Sequence, residues 1–572
     1  MRTWTRWLTP VWLPGYDRRT ARGDLLAGLT VAVMLVPQGM AYALLGGVPP
    51  VYGLFASMVP LLVYALLGGS RQLAAGIVAL DMLVVGAVVS RLADGPTEAV
   101  GIALTLSLMV GALHLALGLL RLGFVTDFIS RPVIVGFTTG APVVIGLSQL
   151  GHLSGMHLPR GSTLGALIEG IAGHVGEVGP ASTVVGAVAC AWLVLGKRVA
   201  PKLPHPLLVV GLSGLAVWLL GLESVATLGP IAAAVPTPGI DRLRPDLVVE
   251  LLPTAFTLLA IQLMTVISLG RFVARRTRSV VAPDRELTAV GVGNLLGGLF
   301  SAPPTSASFS RTAVNRDAGA RTPMANGFAA LAVIGAALFA RDLMAHIPLP
   351  TLAAIILVAA VGMIDLAEMR TVYALHRAEG AVALLTCVMT LLVGIEQGVL
   401  SGIGASLFVM LYRTSRPRVA VLQRHPVSGR FVDRAVVPDT AAAPGALVLR
   451  VDGALHFANA EHIRRTVLAH VDAETDTEAV VLDGRGINSI DVTAVAVLRD
   501  LLDALDDRGI PLHLARFKGA ARQVIGRSRL RDRFADTAVE LSPREVIDLL
   551  GECGPGSSAG APDDPQGPDR SG

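Results

Sequence analysis

Charge is what this sequence has least of. Asp, Glu, Lys and Arg supply 16% of its 572 residues, where a soluble domain carries about a quarter. That shortage excludes an ordinary cytosolic enzyme over most of the length, and equally a disordered or collagen-like chain. Cysteine is scarce too. Cys190, Cys387 and Cys553 lie far apart and form no Cys-x-x-Cys, which excludes a disulfide framework and a thiolate zinc site. There is no Walker lysine motif and no His-Glu-x-x-His, and Gly291-x-Gly293 lacks the third glycine of a dinucleotide loop. An ATP-driven pump or a membrane hydrolase is therefore not expected. The net charge of +4 and isoelectric point near 9.2 are read as basic loops of a membrane chain, not as a nucleic-acid surface.

What is present is hydrocarbon: 52% of residues are hydrophobic and the mean hydropathy is +0.62. Apolar runs fill residues 24–413, among them Leu25–Leu45, Val51–Leu67, Gln72–Val89, Gly101–Leu120 and Leu251–Leu269. With shorter stretches near Leu287–Phe300 and Ser306–Val314 they predict about fourteen membrane segments. The first run is too long for a cleaved signal peptide, and no small-residue cleavage site follows it. Arginines in the arm 1–23, among them Arg2, Arg6, Arg18, Arg19 and Arg22, place that arm in the cytoplasm by the positive-inside rule. Counting from there puts Arg71, Arg121, Arg131, Lys197, Arg198, Lys202 and the stretch 271–285 inside. Only Arg91, Arg160, Arg242, Arg244 and Arg341 fall outside. The even span count returns the C-terminus to the cytoplasm.

After Leu411 the composition turns polar. Residues 414–439, basic at the start and containing Pro417, read as a linker. Residues 440–551 read as a soluble α/β domain. Strands are expected at Ala446–Val451, Ala479–Leu482 and Leu512–Ala515. Helices are expected near Glu461–His470, Val492–Leu505, Ala520–Arg527 and Arg544–Leu550. The tail 552–572, rich in Gly, Pro, Ser and Asp, is expected to be disordered.

Three polar clusters interrupt the apolar runs, where polar groups are costly unless they face a partner or a cavity. In the first, Pro37 and Gly39 predict a break in the first span, with Gln38 and Tyr42 on one helical face. Gln38 either lines a cavity or satisfies a carbonyl freed by Pro37. The second runs from Gly69 to Asp81, where Gly76 opens a half-helix and Asp81 must pair, protonate or meet water. The third runs from Gly293 to Asn315. Pro303 and Pro304 forbid a continuous helix, and Thr305, Ser306 and Ser308 suit the cap of a new one. A helix starting mid-membrane aims its unpaired amides at the cavity, and with Ser308, Ser310 and Arg311 it makes an anion site. Arg311 could instead pair an acidic side chain or lie near the cytoplasmic surface. The second and third clusters fall in spans three and ten, equivalent positions of an inverted repeat of seven, so two half-helix starts converge on one site.

Pro49-Pro50-Val51-Tyr52-Gly53-Leu54-Phe55-Ala56, followed by Pro60 and Tyr64, resembles the signature of the SulP anion transporters. Gly69-Ser70-Arg71 and Ala307–Asn315 are similar to further family segments. Arg450–Ala460 resembles the opening strands of a STAS domain. The resemblance implies a polytopic all-α membrane domain of seven-plus-seven inverted repeats, divided into core and gate, with a cytoplasmic α/β STAS domain. It also implies a homodimer in the plasma (inner) membrane and an elevator motion of core against gate. Its site would comprise Gln38, Tyr42, Gly76, Ile77, Val78, Ser308, Phe309, Ser310 and Arg311, with no cofactor and no metal.

The sequence departs from the family pattern in two places. Gly76-Ile77 stands where many bacterial members have Gly-Pro, and Ile267 stands where many ion-coupled members have Glu or Asp. Coupling through the eighth span is thereby in doubt, and Asp81 becomes the candidate for taking up a proton. Asp491 either caps the helix that Thr493 enters, or Thr493 is the phosphate acceptor seen in related bacterial STAS proteins. The expected solute is a compact anion. The Ser308–Asn315 stretch is more similar to sulfate-type members, with bicarbonate and dicarboxylates as alternatives. An anion-binding sensor or motor acting through the STAS domain is the reading from another class.

Overall fold

The computed structural model describes residues 10, 12–128, 130–156, 158, 163–200, 203–229, 235–277, 282–437, 439–528, 530, 533 and 541–552. Arg2, Arg6, Arg160, Lys202, Cys553 and the rest of the tail lie outside the described residues. The chain forms two compact bodies, 1–407 and 408–572.

The first body is helical because its apolar runs must satisfy their own backbone groups once water is gone. Among the described residues, 8 helical stretches are long and apolar enough to cross a membrane. Helix α1 (Arg18–Leu45) starts at Asp17, whose carboxylate accepts from the Thr20 amide at 2.7 Å. It runs unbroken through Pro37, so the break expected there does not occur. A proline removes one amide donor and crowds the previous turn, but buried packing on all sides absorbs that loss. Pro37 is itself buried, as are Gln38 to Ala43 after it, and α1 packs on the helices Pro50–Phe55, Ala79–Leu92, Phe309–Asp317, Met324–Phe339 and Leu349–Val361.

Short α2 (Pro50–Phe55) and α3 (Val59–Leu67) follow. Residues 72–78 are not helical. They hold a two-residue strand β1 (Ala75–Gly76) before α4 (Ala79–Leu92). Next come α5 (Pro96–Leu119), α6 (Arg131–Ser148), short α7 (Leu150–Ser154) and α8 (Leu164–Gly173), α9 (Pro180–Val199) and α10 (His205–Leu220). After them run α11 (Val248–Thr277) and α12 (Pro283–Leu299). The break expected at Pro303-Pro304 is present: the chain is extended to strand β2 (Ser306–Ala307) and restarts as α13 (Phe309–Asp317). Then come α14 (Met324–Phe339), α15 (Arg341–Ala345), α16 (Leu349–Val361), α17 (Leu366–Leu375), α18 (Arg377–Leu392) and α19 (Ile395–Ser415).

The helices pack as two groups. In one, α5 lies along α12 and α14 along α1, with α4, α11 and α13 filling between them. Small residues permit this closeness: a Cβ on Gly291 of α12 would sit 2.6 Å from the Leu115 amide of α5. In the other, α6 packs on α18 and α9 on α16. Helix α1 also touches α10 and α16, and so joins the groups.

The second body is a five-stranded mixed sheet in the order β4-β3-β5-β6-β7. Its strands are β3 (Val419–Arg424), β4 (Phe431–Asp433), β5 (Ala446–Val451), β6 (Ala479–Asp483) and β7 (Leu512–Ala515). β5, β6 and β7 are parallel, and β3 is antiparallel to both of its neighbours. Alternation along β5 divides the core. Leu447, Leu449 and Val451 face α20 (Ala460–Ala473), α21 (Val492–Asp506) and α22 (Gly519–Arg527), whereas Val448 faces α23 (Pro543–Glu552). Residues 414–439 are therefore not a plain linker. They carry β3, which pairs with β5 and turns Ala420 and Leu422 inward at alternate positions, and β4, which pairs with the other edge of β3.

Candidate functional site

β1 and β2 pair antiparallel, Ala75 opposite Ala307 and Gly76 opposite Ser306. The strands run in opposite directions, so α4 and α13 leave this crossing in opposite directions as well. Their starts, with the unpaired amides and positive dipole ends, stay close to the crossing. Ser308 caps α13, its Oγ accepting from the Arg311 amide at 3.4 Å, while Val78 gives α4 no side-chain cap. The crossing is pinned from α13 and α14. Thr312 Oγ1 accepts from the Ala74 amide (2.9 Å), and Asn326 Oδ1 accepts from the Ala75 amide (3.0 Å). Asn326 Nδ2 donates to the Leu73 carbonyl (2.8 Å) and Asn315 Nδ2 to the Gln72 carbonyl (2.9 Å).

Arg311 projects from the first turn of α13 and is 0% exposed. Its Nη2 donates to the Ile77 carbonyl at 2.8 Å, so the guanidinium reaches the start of the opposite half-helix. Its Nε and Nη1 have no partner, and among the described residues no carboxylate pairs with it. The ion-pair alternative for Arg311 is thereby excluded within those residues. A buried cation with unmade hydrogen bonds is expensive, and a solute anion is what would satisfy it.

The other expected residues sit as follows. Tyr42 is buried and within electrostatic reach of Arg311. Gln38 is buried one turn before Tyr42, and its Oε1 has no partner. Ile77 is buried and Val78 partly so. Ser308 Oγ lies 3.3 Å from Ser310 Oγ. Phe309, 57% exposed, and Ser310 form the open side of the half-helix start. Gly76 has φ +130°, a conformation that only glycine adopts readily. Ile267 is buried with Tyr64, Leu73, Ala75 and Ala307, an apolar wall behind the crossing. In the C-terminal body Thr493 is exposed. Asp491 caps α21, Oδ1 accepting from the Ala494 amide (2.8 Å) and Oδ2 from the Phe457 amide (2.7 Å).

The sequence alone assigns no role to the two amides, Asn294 and Gln262, that link Thr305 to Asp81. Asn294 Oδ1 accepts from the Thr305 amide (2.7 Å) and hydroxyl (3.0 Å). Its Nδ2 donates to the Thr305 carbonyl (3.0 Å) and to Gln262 Oε1 (3.3 Å), and Gln262 Nε2 donates to Asp81 Oδ2 (2.9 Å). A lone amide in each of two apolar runs was the available signal. Asn294→Leu strands several buried polar groups at once, each costing about 1–3 kcal/mol. The expected result is a drop of many degrees in the melting temperature of the detergent-solubilised protein. An unchanged melt contradicts the role of Asn294 as the clamp on Thr305. Nearer the surface, Glu286 accepts from the Tyr64 hydroxyl (2.7 Å) and from Ser70 Oγ (2.7 Å), which ties α12 to α3 and to the segment before β1.

Residues 22–388 match the Sulfate permease family and residues 437–545 the STAS domain. A probable sulfate transporter of Mycobacterium tuberculosis is 36% identical over 536 residues, covering 92% of this chain and 95% of its own. A chloroplastic sulfate transporter of Arabidopsis thaliana is 33% identical, covering 88% of this chain and 76% of its own. Among solved structures, the murine solute carrier 26 member A9 anion transporter in its inward-facing state superposes with a TM-score of 0.89 at 23% identity, covering 96% of this chain and 95% of that one. The transmembrane domain of a cyanobacterial bicarbonate transporter superposes with a TM-score of 0.61 at 24% identity, covering 68% and 98%.

Proposed function

We propose, from the premise that the chain belongs to the sulfate permease family and is a multi-pass anion transporter rather than an enzyme, that its principal solute is sulfate. The observation that carries this reading is the Arg311 guanidinium, buried between two half-helix starts with two donors unused. A tetrahedral oxyanion has acceptors enough to engage those donors, the amides at the start of α4 and the hydroxyls of Ser308 and Ser310 together. Tyr42 and Gln38 close the site from α1. Sulfate is favoured over bicarbonate and dicarboxylates because the mycobacterial relatives, similar over 95% of their own length, are named probable sulfate transporters.

Elevator-type alternating access is the motion we assign. The group holding α4, α13 and the site would move as one unit against α6, α9, α10, α16, α18 and α19. The packing supports a seven-plus-seven inverted repeat of fourteen segments. The pairing of α5 with α12 is matched by that of α14 with α2–α3 as a span, and α6 with α18 by α16 with α9. In this reading the protein is a homodimer of the plasma (inner) membrane, with the N-terminal arm and the STAS domain in the cytoplasm.

The test is uptake of labelled sulfate by proteoliposomes in competition with unlabelled anions. Sulfate and selenate should abolish uptake, while bicarbonate, fumarate and chloride at equal concentration leave most of it. Dominant competition by bicarbonate or a dicarboxylate overturns the substrate assignment. Binding without flux overturns transport in favour of a sensor.

A further inference from the structure

Asp81 is the second buried charge near the crossing, and no part of the anion site uses it. It lies in the first turn of α4 and is 0% exposed. Its Oδ2 accepts one hydrogen bond, from the neutral Gln262 amide, and its Oδ1 has no partner. The helices packed on α4 are α1, α5 and α11. Among the side chains the structure describes, their titratable groups are Arg18, Arg19, Arg22, Asp24 and Tyr42 on α1, Glu98 and His114 on α5, and Glu250 and Arg271 on α11. None of these bonds Asp81 among the described residues. Asp24 accepts from the Arg321 and Thr322 amides, and His114 is held through Nδ1 at the Val110 carbonyl while its Nε2 has no partner.

Two features link this carboxyl group to the anion site. The first is the chain of donors, Thr305 to Asn294 to Gln262 to Asp81, which runs from just before β2 and α13 to the first turn of α4. Every link donates toward Asp81, so its charge polarises the whole chain. The second is electroneutrality. With the site empty, Arg311 and Asp81 are one buried cation and one buried carboxylate on opposite half-helices. A dianion at Arg311 beside an ionised Asp81 leaves two excess negative charges in a low-dielectric interior, and a proton on Asp81 removes one of them.

We propose that Asp81 is the proton-carrying group of this transporter: it binds a proton on Oδ1 when sulfate occupies the Arg311 site and releases it when sulfate leaves. The function is then proton–anion symport through the third span. This places the coupling group where the apolar Ile267 of the eighth span has none. The proposal rests on the Arg311 reading of the site.

The experiment uses the full chain in proteoliposomes, with potassium and valinomycin holding the membrane potential at zero. With one proton carried per anion, an inward gradient of one pH unit drives labelled sulfate to about tenfold accumulation in the wild type. Asp81→Asn should keep sulfate–sulfate counterflow and lose gradient-driven accumulation entirely. Asp81→Glu should retain it. A direct reading on the solubilised protein in unbuffered medium supplies the second measurement: sulfate addition should take up about one proton per site in the wild type and none in Asp81→Asn. Accumulation that persists in Asp81→Asn overturns the proposal, as does wild-type exchange that ignores the gradient or sulfate binding without proton uptake. These outcomes are distinct from failure of the site itself, which shows as wild-type sulfate binding that Arg311→Ala leaves intact.

Discussion

Arg311→Ala should weaken apparent sulfate affinity by roughly 10- to 150-fold, the equivalent of about 1.5–3 kcal/mol for hydrogen bonds from a charged donor. Uptake at low sulfate should fall in proportion. The ligand-free protein should melt close to the wild type. The variant loses the bond to the Ile77 carbonyl, but it also loses a buried cation with two unmade hydrogen bonds. That combination separates a binding role from a structural one, because an ordinary buried arginine is held by a partner and destabilises the fold when removed. Arg311→Lys keeps the charge without the planar fork and should recover only part of the affinity. Tight binding in the alanine variant, measured by titration with labelled sulfate, would place the anion elsewhere.

Gly76→Val is expected to be the more damaging change. Gly76 sits at φ +130°, where an L side chain is strained whatever the space around it. Even the first carbon would crowd the site, 3.2 Å from Leu61 Cδ1, 3.4 Å from Leu35 Cδ2 and 3.5 Å from Arg311 Nη2. Backbone strain of this kind costs about 1–3 kcal/mol before any clash. Because Gly76 pairs with Ser306, relief of the strain moves both half-helix starts together. Melting temperature and sulfate uptake should therefore fall together, with uptake lost at temperatures where the protein is still folded. A variant with wild-type transport would mean that the crossing does not position the site.

The parts of this site that were legible in the sequence are those that break a rule of helices locally. Pro303-Pro304 forbids continuation, Ser308 is a cap, and Arg311 is a charge where charge is costly, so a half-helix with an anion-facing start could be read without any partner. The strands Ala446–Val451 and Leu512–Ala515 were legible for the same kind of reason, since each alternates or runs apolar between clear turn signals. Pro37 was misread because a proline signals a weak point, and whether a helix breaks there depends on neighbours the local sequence does not name. β3 and β4 were missed because they follow a basic, proline-bearing stretch and are held by distant pairing, β3 on β5 and the three-residue β4 on β3. Least legible was the amide chain. Asn294 and Gln262 are 32 residues apart, and Gln262 and Asp81 are 181 apart, so only the folded bundle brings them together.

Binding of a negatively charged solute between the starts of α4 and α13, against Arg311, can be seen directly in a crystal. Selenate is the direct probe, because it has the shape and charge of sulfate and its selenium scatters anomalously. In crystals of the full chain grown with selenate, the anion marked by the anomalous peak should place its oxygens about 2.7–3.2 Å from Arg311 Nε or Nη1 and from the hydroxyl of Ser308 or Ser310. A selenium peak elsewhere in the membrane body, with Arg311 bonded only to Ile77 or to a carboxylate, would contradict it.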